Sequence, residues 1–374
     1  MPIGYGKIYY DSRFNWKYET EPEQNLDSSK MYWPRGKVLG GSSSINAMVY
    51  VRGHPNDYNE WSKTAPGWDW NSLLPIFKAM EDWTGPKNPE RGIGGPLTVR
   101  DISKDVHPLC NNYLEAAEQA GIPFNEDYNT GEMEGAAIYQ ITTRKGFRAS
   151  ASRAYFHPIK NRSNIDLSLR SQVTRVLFEG KKANGVEFIK NGKLKQVKAH
   201  CEVIICGGAI NSPQVLQNSG IGSSALLSKF DIPVIHHSPN VGENLQDHLM
   251  FRPIYKIQKL KSLNKKINSL FGNLLIGLEY VFNRSGPMTI GASQLGMFAK
   301  SDPSLELPDL QWHVQPMSMD TLGATKNHDF HGFTPTVSQI RPTSRGHVSI
   351  VDKDSRTYAK IKMNYLSTNE DRKV

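Results

Sequence analysis

The sequence predicts an α/β domain joined to an α+β domain built on a mainly antiparallel sheet. Three observations carry this. An apolar run at residues 203–206 is broken by Gly207 and Gly208, after which Ser212 and Pro213 can open a helix; strand, paired glycines and helix form an α/β unit whose helix N–H groups can face a ligand. Beyond residue 290, short alternating segments follow one another, as in antiparallel sheets. Asn191 and Gly192 between two alternating runs mark a two-residue hairpin.

Taken in order, residues 1–40 are polar and aromatic with little periodicity and read as extended surface chain. Residues 44–49 predict a short helix capped by the preceding serines. Asp69 or Asn71 can cap the next helix, whose Leu73, Leu74, Phe77 and Met80 share one face. Another helix is expected over about 108–120, stopped by Gly121. Strands are expected at 165–169, 173–178 and 185–189. Residues 265–282 have apolar positions at 267, 270, 271, 274, 278 and 281, an amphipathic helix preceded by Lys259, Lys261, Lys265 and Lys266. That patch reads either as a solvated flank or as a surface for a membrane or an acidic partner. Alternating segments at 293–298, 310–314, 337–340, 347–351 and 358–363 supply the antiparallel sheet.

At 374 residues the chain has room for about two domains. Hydrophobic residues make up 38% and charged residues 22%, and mean hydropathy is -0.50, which excludes a membrane bundle and a disordered chain. The first residues show neither the basic region nor the apolar core of an export signal, so the expected location is the cytoplasm, with peripheral membrane contact left open by the lysine-flanked helix. The net charge of +9 favours anionic ligands or surfaces. It is spread along the chain with no recognition motif, so no nucleic-acid partner is expected. Three cysteines, Cys110, Cys201 and Cys206, form neither a disulfide framework nor a zinc pattern, and no metal is expected.

The densest chemical signal is the loop Gly40, Gly41, Ser42, Ser43, Ser44, Ile45, Asn46. Two adjacent glycines let the backbone turn tightly and approach a flat or phosphorylated ligand. Serine hydroxyls and successive N–H groups can donate to phosphate oxygens, and Asn46 can donate to or accept from a heterocycle. The loop is neither a Walker motif nor GxGxxG, and a plain flexible loop is the other reading.

The surrounding text extends this signal. RGKVLGGSSSINAMVYVRGHPNDYNEW, from Arg35, resembles the first signature of the glucose–methanol–choline (GMC) flavoprotein oxidoreductases, and GGAINSPQVLQNSGIG, from Gly207, resembles the second. GGPLTVR from Gly94, DYNTGEMEGAAIYQITTRKGFRAS from Asp127, VGENLQDH from Val241 and RPTSRGHVSI from Arg341 are similar to further phrases of the family. The likeness covers nearly the whole chain and leans towards the choline-dehydrogenase-like alcohol dehydrogenases.

That resemblance implies a Rossmann-like FAD-binding domain, here over 1–75 and 160–250, and a substrate domain over 76–159 and 251–374. It implies that Val38, Gly40 and Gly41 approach the cofactor and that Asn46, Ala47, Met48 and Val49 line its ring and phosphates. It places the backbone of Val173 at the adenine and Gly207, Gly208 and Ala209 in the turn beneath the cofactor. Some relatives tether FAD through a histidine where this chain has Ile45, so FAD is expected to be non-covalent. The implied reaction is oxidation of a primary alcohol, choline or a related small alcohol, by hydride transfer to flavin N5, with the electron acceptor left open.

The family's GxGxxG segment and its histidine-bearing C-terminal region have no counterpart here, so no catalytic residue is assigned and the 374-residue chain by itself is expected to be inactive. His248 and His347 lie in other phrases and do not match the base; His313 is expected to face substrate. Gln294 stands where relatives with a quaternary-amine substrate carry a carboxylate, which weakens the case for choline and favours a neutral alcohol. The alternative is a non-catalytic remnant of the same fold that binds a ligand or partner.

Overall fold

The computed structural model describes residues 1–321 and 326–374 and divides into two units. One comprises Met1–Lys17, Pro34–Arg162 and Leu249–Arg341; the other comprises Tyr18–Trp33, Ser163–His248 and Pro342–Val374. In chain order the principal helices are α1 (Pro55–Ser62), α2 (Trp70–Met80), α3 (Leu109–Gln119), α4 (Gly208–Asn218), α5 (Leu263–Asn268) and α6 (Leu270–Asn283). The principal strands are β1 (Gly135–Ile138), β2 (Ser171–Glu179), β3 (Lys182–Lys190), β4 (Lys193–Lys198), β5 (Leu295–Ala299), β6 (Leu310–Gln315), β7 (Gly332–Gln339), β8 (His347–Ser349) and β9 (Lys360–Lys362).

The first unit is organised by an antiparallel sheet in the order β1, β5, β6, β7, with the two-residue strands Met250–Phe251 and Tyr255–Lys256 both on β7. Every residue of β5 is buried, so the alternation read at 293–298 does not separate a core face from a solvated one. Helix α3 contributes buried Cys110 and Ala117, seven residues apart and so on one face, to clusters that contain Leu295, Val314 and Met297. On α2, the Asp69 carboxylate accepts from Ser72 N at 3.0 Å, the expected cap. Gly121, at φ +81°, ends α3 as its position predicts.

The second unit holds the meander β2–β3–β4 and the pair β8–β9. Asn191 and Gly192 both take positive φ, 53° and 72°, the conformation of a type I′ hairpin, and they join β3 to β4 directly. Helix α4 lies on β2, where Ser219 Oγ accepts from Val176 N at 2.8 Å. Buried Gln217 fastens α4 to β8: Nε2 donates to the carbonyls of Val241 and Val348, and Oε1 accepts from Ile350 N at 2.9 Å.

Several local expectations differ from the structure. Residues 44–49 are not a helix: a 3-10 turn spans Gly41–Ser44, and Met48 then takes φ +68°. Residues 165–169 and 203–206 pair with no strand among the described residues, and Ile204 is 73% exposed. An apolar or alternating run becomes a strand only beside a partner ladder. Helix α4 starts at Gly208, so Pro213 falls inside it rather than in its first turn. The 265–282 helix is split at Ser269, whose extended backbone (φ −93°, ψ 134°) caps α6. Residues 347–349 and 360–362 pair with each other in the second unit instead of joining the main sheet. The contact division also differs from the expected domain boundaries: residues 34–75 group with the sheet-bearing unit because Val49 pairs with Ile141 and Tyr50 N donates to Gln140 O at 2.9 Å.

Candidate functional site

The loop expected to carry chemistry is built from its own hydroxyls. Ser42 Oγ accepts from Gly36 N at 3.1 Å, Ser43 Oγ donates to Gly40 O and accepts from Ala151 N, and Ser44 Oγ donates to Leu39 O at 2.9 Å. All three serines therefore hold the loop's shape, where the sequence suggested they would serve as phosphate donors. Part of the main chain is engaged as well: Gly41 N donates to Val38 O at 2.8 Å, and the Ile45 and Asn46 N–H groups donate to Ser42 O. Gly40 (φ +89°) and Gly41 (φ +54°) both lie in the left-handed region. A Cβ on Gly41 would meet nothing within 4 Å, so the backbone there opens onto free space of the kind a flat ligand can fill.

Asn46 is exposed, and its Oδ1 accepts from Met48 N at 3.0 Å and from Arg148 Nη1 at 2.7 Å. Arg148 also donates to the carbonyls of Ser43 and Pro2. These partners are neutral oxygens, and burial pulls the Arg148 pKa down to about 10, which still leaves the guanidinium charged at neutral pH. The sequence reading missed Arg148. Its only signal was a place in the phrase ending GFRAS, two residues before Ser150.

Of the remaining loop residues, Val38 and Ala47 are partly exposed, and the Ala47 carbonyl lies against Gly291. Val49 continues into the bridge with Ile141. The Met48 side chain packs into a core cluster with Ile102, Ile141 and Ile290, which leaves its main chain as the part that can meet a ligand. Ile45 is buried as well. The segment is anchored beyond Val51 by a buried ionic network. Arg52 Nη2 donates to Glu81 Oε2 at 2.6 Å, Arg91 Nη2 donates to Glu81 Oε1 at 2.5 Å, and Arg91 Nη1 reaches Asp127 at 2.9 Å.

His313 belongs to β6 of the central sheet, and Gln294 immediately precedes β5. Gln294 is 2% exposed, and its Oε1 accepts from His107 N at 2.7 Å with Cys110 Sγ at 3.8 Å. Expected to meet substrate, Gln294 here uses its carboxamide oxygen to tie the start of β5 to the chain entering α3. His313 pairs across the sheet with Gly296 and Thr336, and its ring lies 5.1 Å from that of Tyr139. Burial pushes the His107 pKa down, and its Nδ1 accepts from Leu109 N.

In the second unit, Gly207 and Gly208 stand at the N-terminus of α4, which has no side-chain cap. Gly208 has φ +76° and nothing within 4 Å of a Cβ position, and Ala209 beside it is exposed. This is an uncapped helix end of the kind that accepts an anion. Val173 is half-buried in β2 opposite Phe188, next to a bulge at Thr174. Among the described residues no cluster of His, Cys, Asp or Glu is arranged to hold a metal.

Comparison with known proteins gives this geometry a lineage. The GMC oxidoreductase profile matches residues 20–250. The chain belongs to the GMC oxidoreductase family. It is 40% identical to mitochondrial choline dehydrogenase of Mus musculus over 99% of its own length and 62% of that enzyme's. It is 37% identical to the alcohol dehydrogenase [acceptor] of Pseudomonas putida, with 100% of this chain and 68% of the relative aligned. The chain thus spans less than two thirds of the choline dehydrogenase. Among solved structures, pyridoxine 4-oxidase from Mesorbium loti superposes with a TM-score of 0.86 at 27% identity, covering 100% of this chain and 69% of that one. A formate oxidase superposes at 0.90 with 24% identity over 99% of this chain and 70% of its own, a likeness of fold. These matches support an α/β FAD-binding-like domain with an antiparallel-sheet substrate domain.

Proposed function

We propose that this chain is the FAD-holding part of an oxidoreductase acting on CH–OH groups, with a small primary alcohol as substrate. The observation that carries the reading is the left-handed backbone at Gly40 and Gly41, close-packed at Gly40 and open at Gly41, braced by the Asn46–Arg148 pair. When bound, FAD would supply the acceptor for a hydride from the alcohol carbon. Gly41 would let the cofactor lie directly on the backbone, and the exposed amide of Asn46 would meet the polar edge of its ring. Arg148 would hold a positive charge behind that amide. In the second unit, the α4 N-terminus at Gly207, Gly208 and Ala209 is a separate candidate for a phosphate, and Val173 for the adenine.

Ile45 has no nucleophilic nitrogen and is buried, which supports a non-covalent cofactor. The likeness to choline and alcohol dehydrogenases supports the substrate class. Several histidines make their recorded ring bonds within the fold: His54 caps α1, His107 caps α3, and His237, His328 and His331 bond serines. None of these five, of the eleven histidines in the chain, stands as a poised proton acceptor.

The test is titration of the chain with FAD, followed by quenching of flavin fluorescence. Saturable binding is expected, at least tenfold weaker in Gly41→Val, with the flavin released into the supernatant by acid precipitation. No binding, or equal binding by Gly41→Val, would refute the loop assignment. Flavin that stays with the acid pellet would refute the non-covalent reading. Anaerobic bleaching of the bound flavin by primary alcohols at a rate typical of intact family enzymes would refute the expectation of inactivity.

A further inference from the structure

Helix α6 has two apolar faces, and the unit covers only one. Gly272, Ile276 and Tyr280, spaced by four, are buried against the unit. On the opposite side Leu270 (91% exposed), Phe271, Leu274, Leu275, Leu278, Val281 and Phe282 (77% exposed) point outward. In fourteen residues the helix carries one charge, Glu279. A helix that is apolar all round belongs in a core or a lipid environment. Contiguous exposure of this kind marks an interaction surface.

The approach to the helix is charged in one sense only. Residues 249–278 contain five lysines, one arginine and no aspartate or glutamate. Lys256, Lys259, Lys261, Lys265 and Lys266 are all exposed, and the same stretch exposes Phe251, Tyr255 and Leu260. A second copy seated on this face would bring lysines against lysines with no acidic residue of 249–278 to answer them. An anionic surface with an apolar interior answers both features at once.

We propose that α6, with the lysine-rich segment before it, seats this unit on the surface of a bilayer containing anionic lipids. A helix of this length runs about 21 Å, short of the roughly 30 Å hydrocarbon core. No helix among the described residues is long and apolar enough to cross a membrane, so α6 lies in the plane of the interface. Leu270, Phe271, Leu274 and Phe282 enter the acyl boundary, and the lysines remain at the headgroups. Apolar insertion and a basic patch together meet the two-signal requirement for stable peripheral anchoring.

The experiment is co-sedimentation of the full chain with vesicles of phosphatidylcholine alone or mixed with phosphatidylglycerol, at low and high salt. Binding to the mixed vesicles is expected to exceed that to phosphatidylcholine at least tenfold and to fall with salt. Each lysine near the surface contributes roughly fivefold. Replacing Lys259, Lys261, Lys265 and Lys266 by glutamine should abolish the lipid preference. The pair Phe271→Glu and Phe282→Glu, both at exposed positions, should lower binding to both vesicle types at least tenfold, with an unchanged circular dichroism spectrum. Failure to bind the mixed vesicles would overturn the proposal, as would full binding by the phenylalanine pair. A dimer in sedimentation velocity that those two substitutions dissolve would assign the face to a second copy and overturn it equally.

Discussion

Replacing Glu81 by alanine tests how the Gly/Ser loop is held in place. Glu81 is fully buried and accepts four hydrogen bonds: from Arg52 Nη2 (2.6 Å), Arg91 Nε (3.0 Å), Arg91 Nη2 (2.5 Å) and Gly92 N (2.9 Å). Both guanidinium groups are themselves buried. Arg91 keeps Asp127 and Gln140 as partners, while Arg52 keeps only main-chain carbonyls of Glu90 and Asn129. Removing the carboxylate therefore strands positive charge in a site closed to water. Breaking a buried ion pair from one side costs about 3–5 kcal/mol. For a unit of this size that corresponds to a fall in Tm of roughly 6–20 °C. The Arg91 guanidinium sits 3.9 Å from the centre of the Trp83 ring, so tryptophan fluorescence reports on the same site. Thermal melts of Glu81→Ala and Glu81→Gln, read by fluorescence and circular dichroism, give the comparison. Glu81→Gln keeps the shape and loses the charge, and should fall between wild type and Glu81→Ala. A loss below about 1 kcal/mol in Glu81→Ala, the scale of an exposed pair, would refute the view that this network anchors the chain after the loop.

Three further outcomes follow from the structure. Burial pushes the Cys110 thiol up to about 12, whereas Cys201 and Cys206 are exposed; an aromatic disulfide reagent at pH 8 should titrate two thiols rapidly and the third only in denaturant. Gln294→Ala should destabilise the chain by about 1–3 kcal/mol in urea unfolding, because the His107 N–H loses its acceptor, and an unchanged midpoint would refute that structural role. Burial acts to raise the Asp371 pKa, but hydrogen bonds from Ser344 and Thr343 outweigh it and bring the value to about 2. A depressed carboxylate stabilises the fold above its unfolded pKa and loses that contribution as pH falls through the folded one. Asp371→Asn should therefore flatten the pH dependence of stability between about 4 and 2, and identical acid profiles for the two proteins would refute the assignment.

The sequence by itself determined features that depend on neighbours along the chain. The Asn191, Gly192 turn, the Asp69 cap, the end of α3 at Gly121 and strands near 293–298 and 310–314 are written in local residue chemistry and periodicity, whereas the 337–340 segment caught only the end of β7, and the two signature phrases placed the chain in its family. Tertiary structure decided what each side chain faces. Residues 203–206 have the composition of a strand, yet they pair with no strand among the described residues. Ser42, Ser43 and Ser44 have hydroxyls fit for phosphate, but the turn draws them onto its own backbone. Met48 and Gln294 carry family positions while their side chains complete the core, and Arg148, silent in composition and spacing, reaches Asn46 across a separation of 102 residues. A motif specifies residue types at intervals along one dimension. Which of their atoms remain available is settled only when distant chain arrives to satisfy the rest.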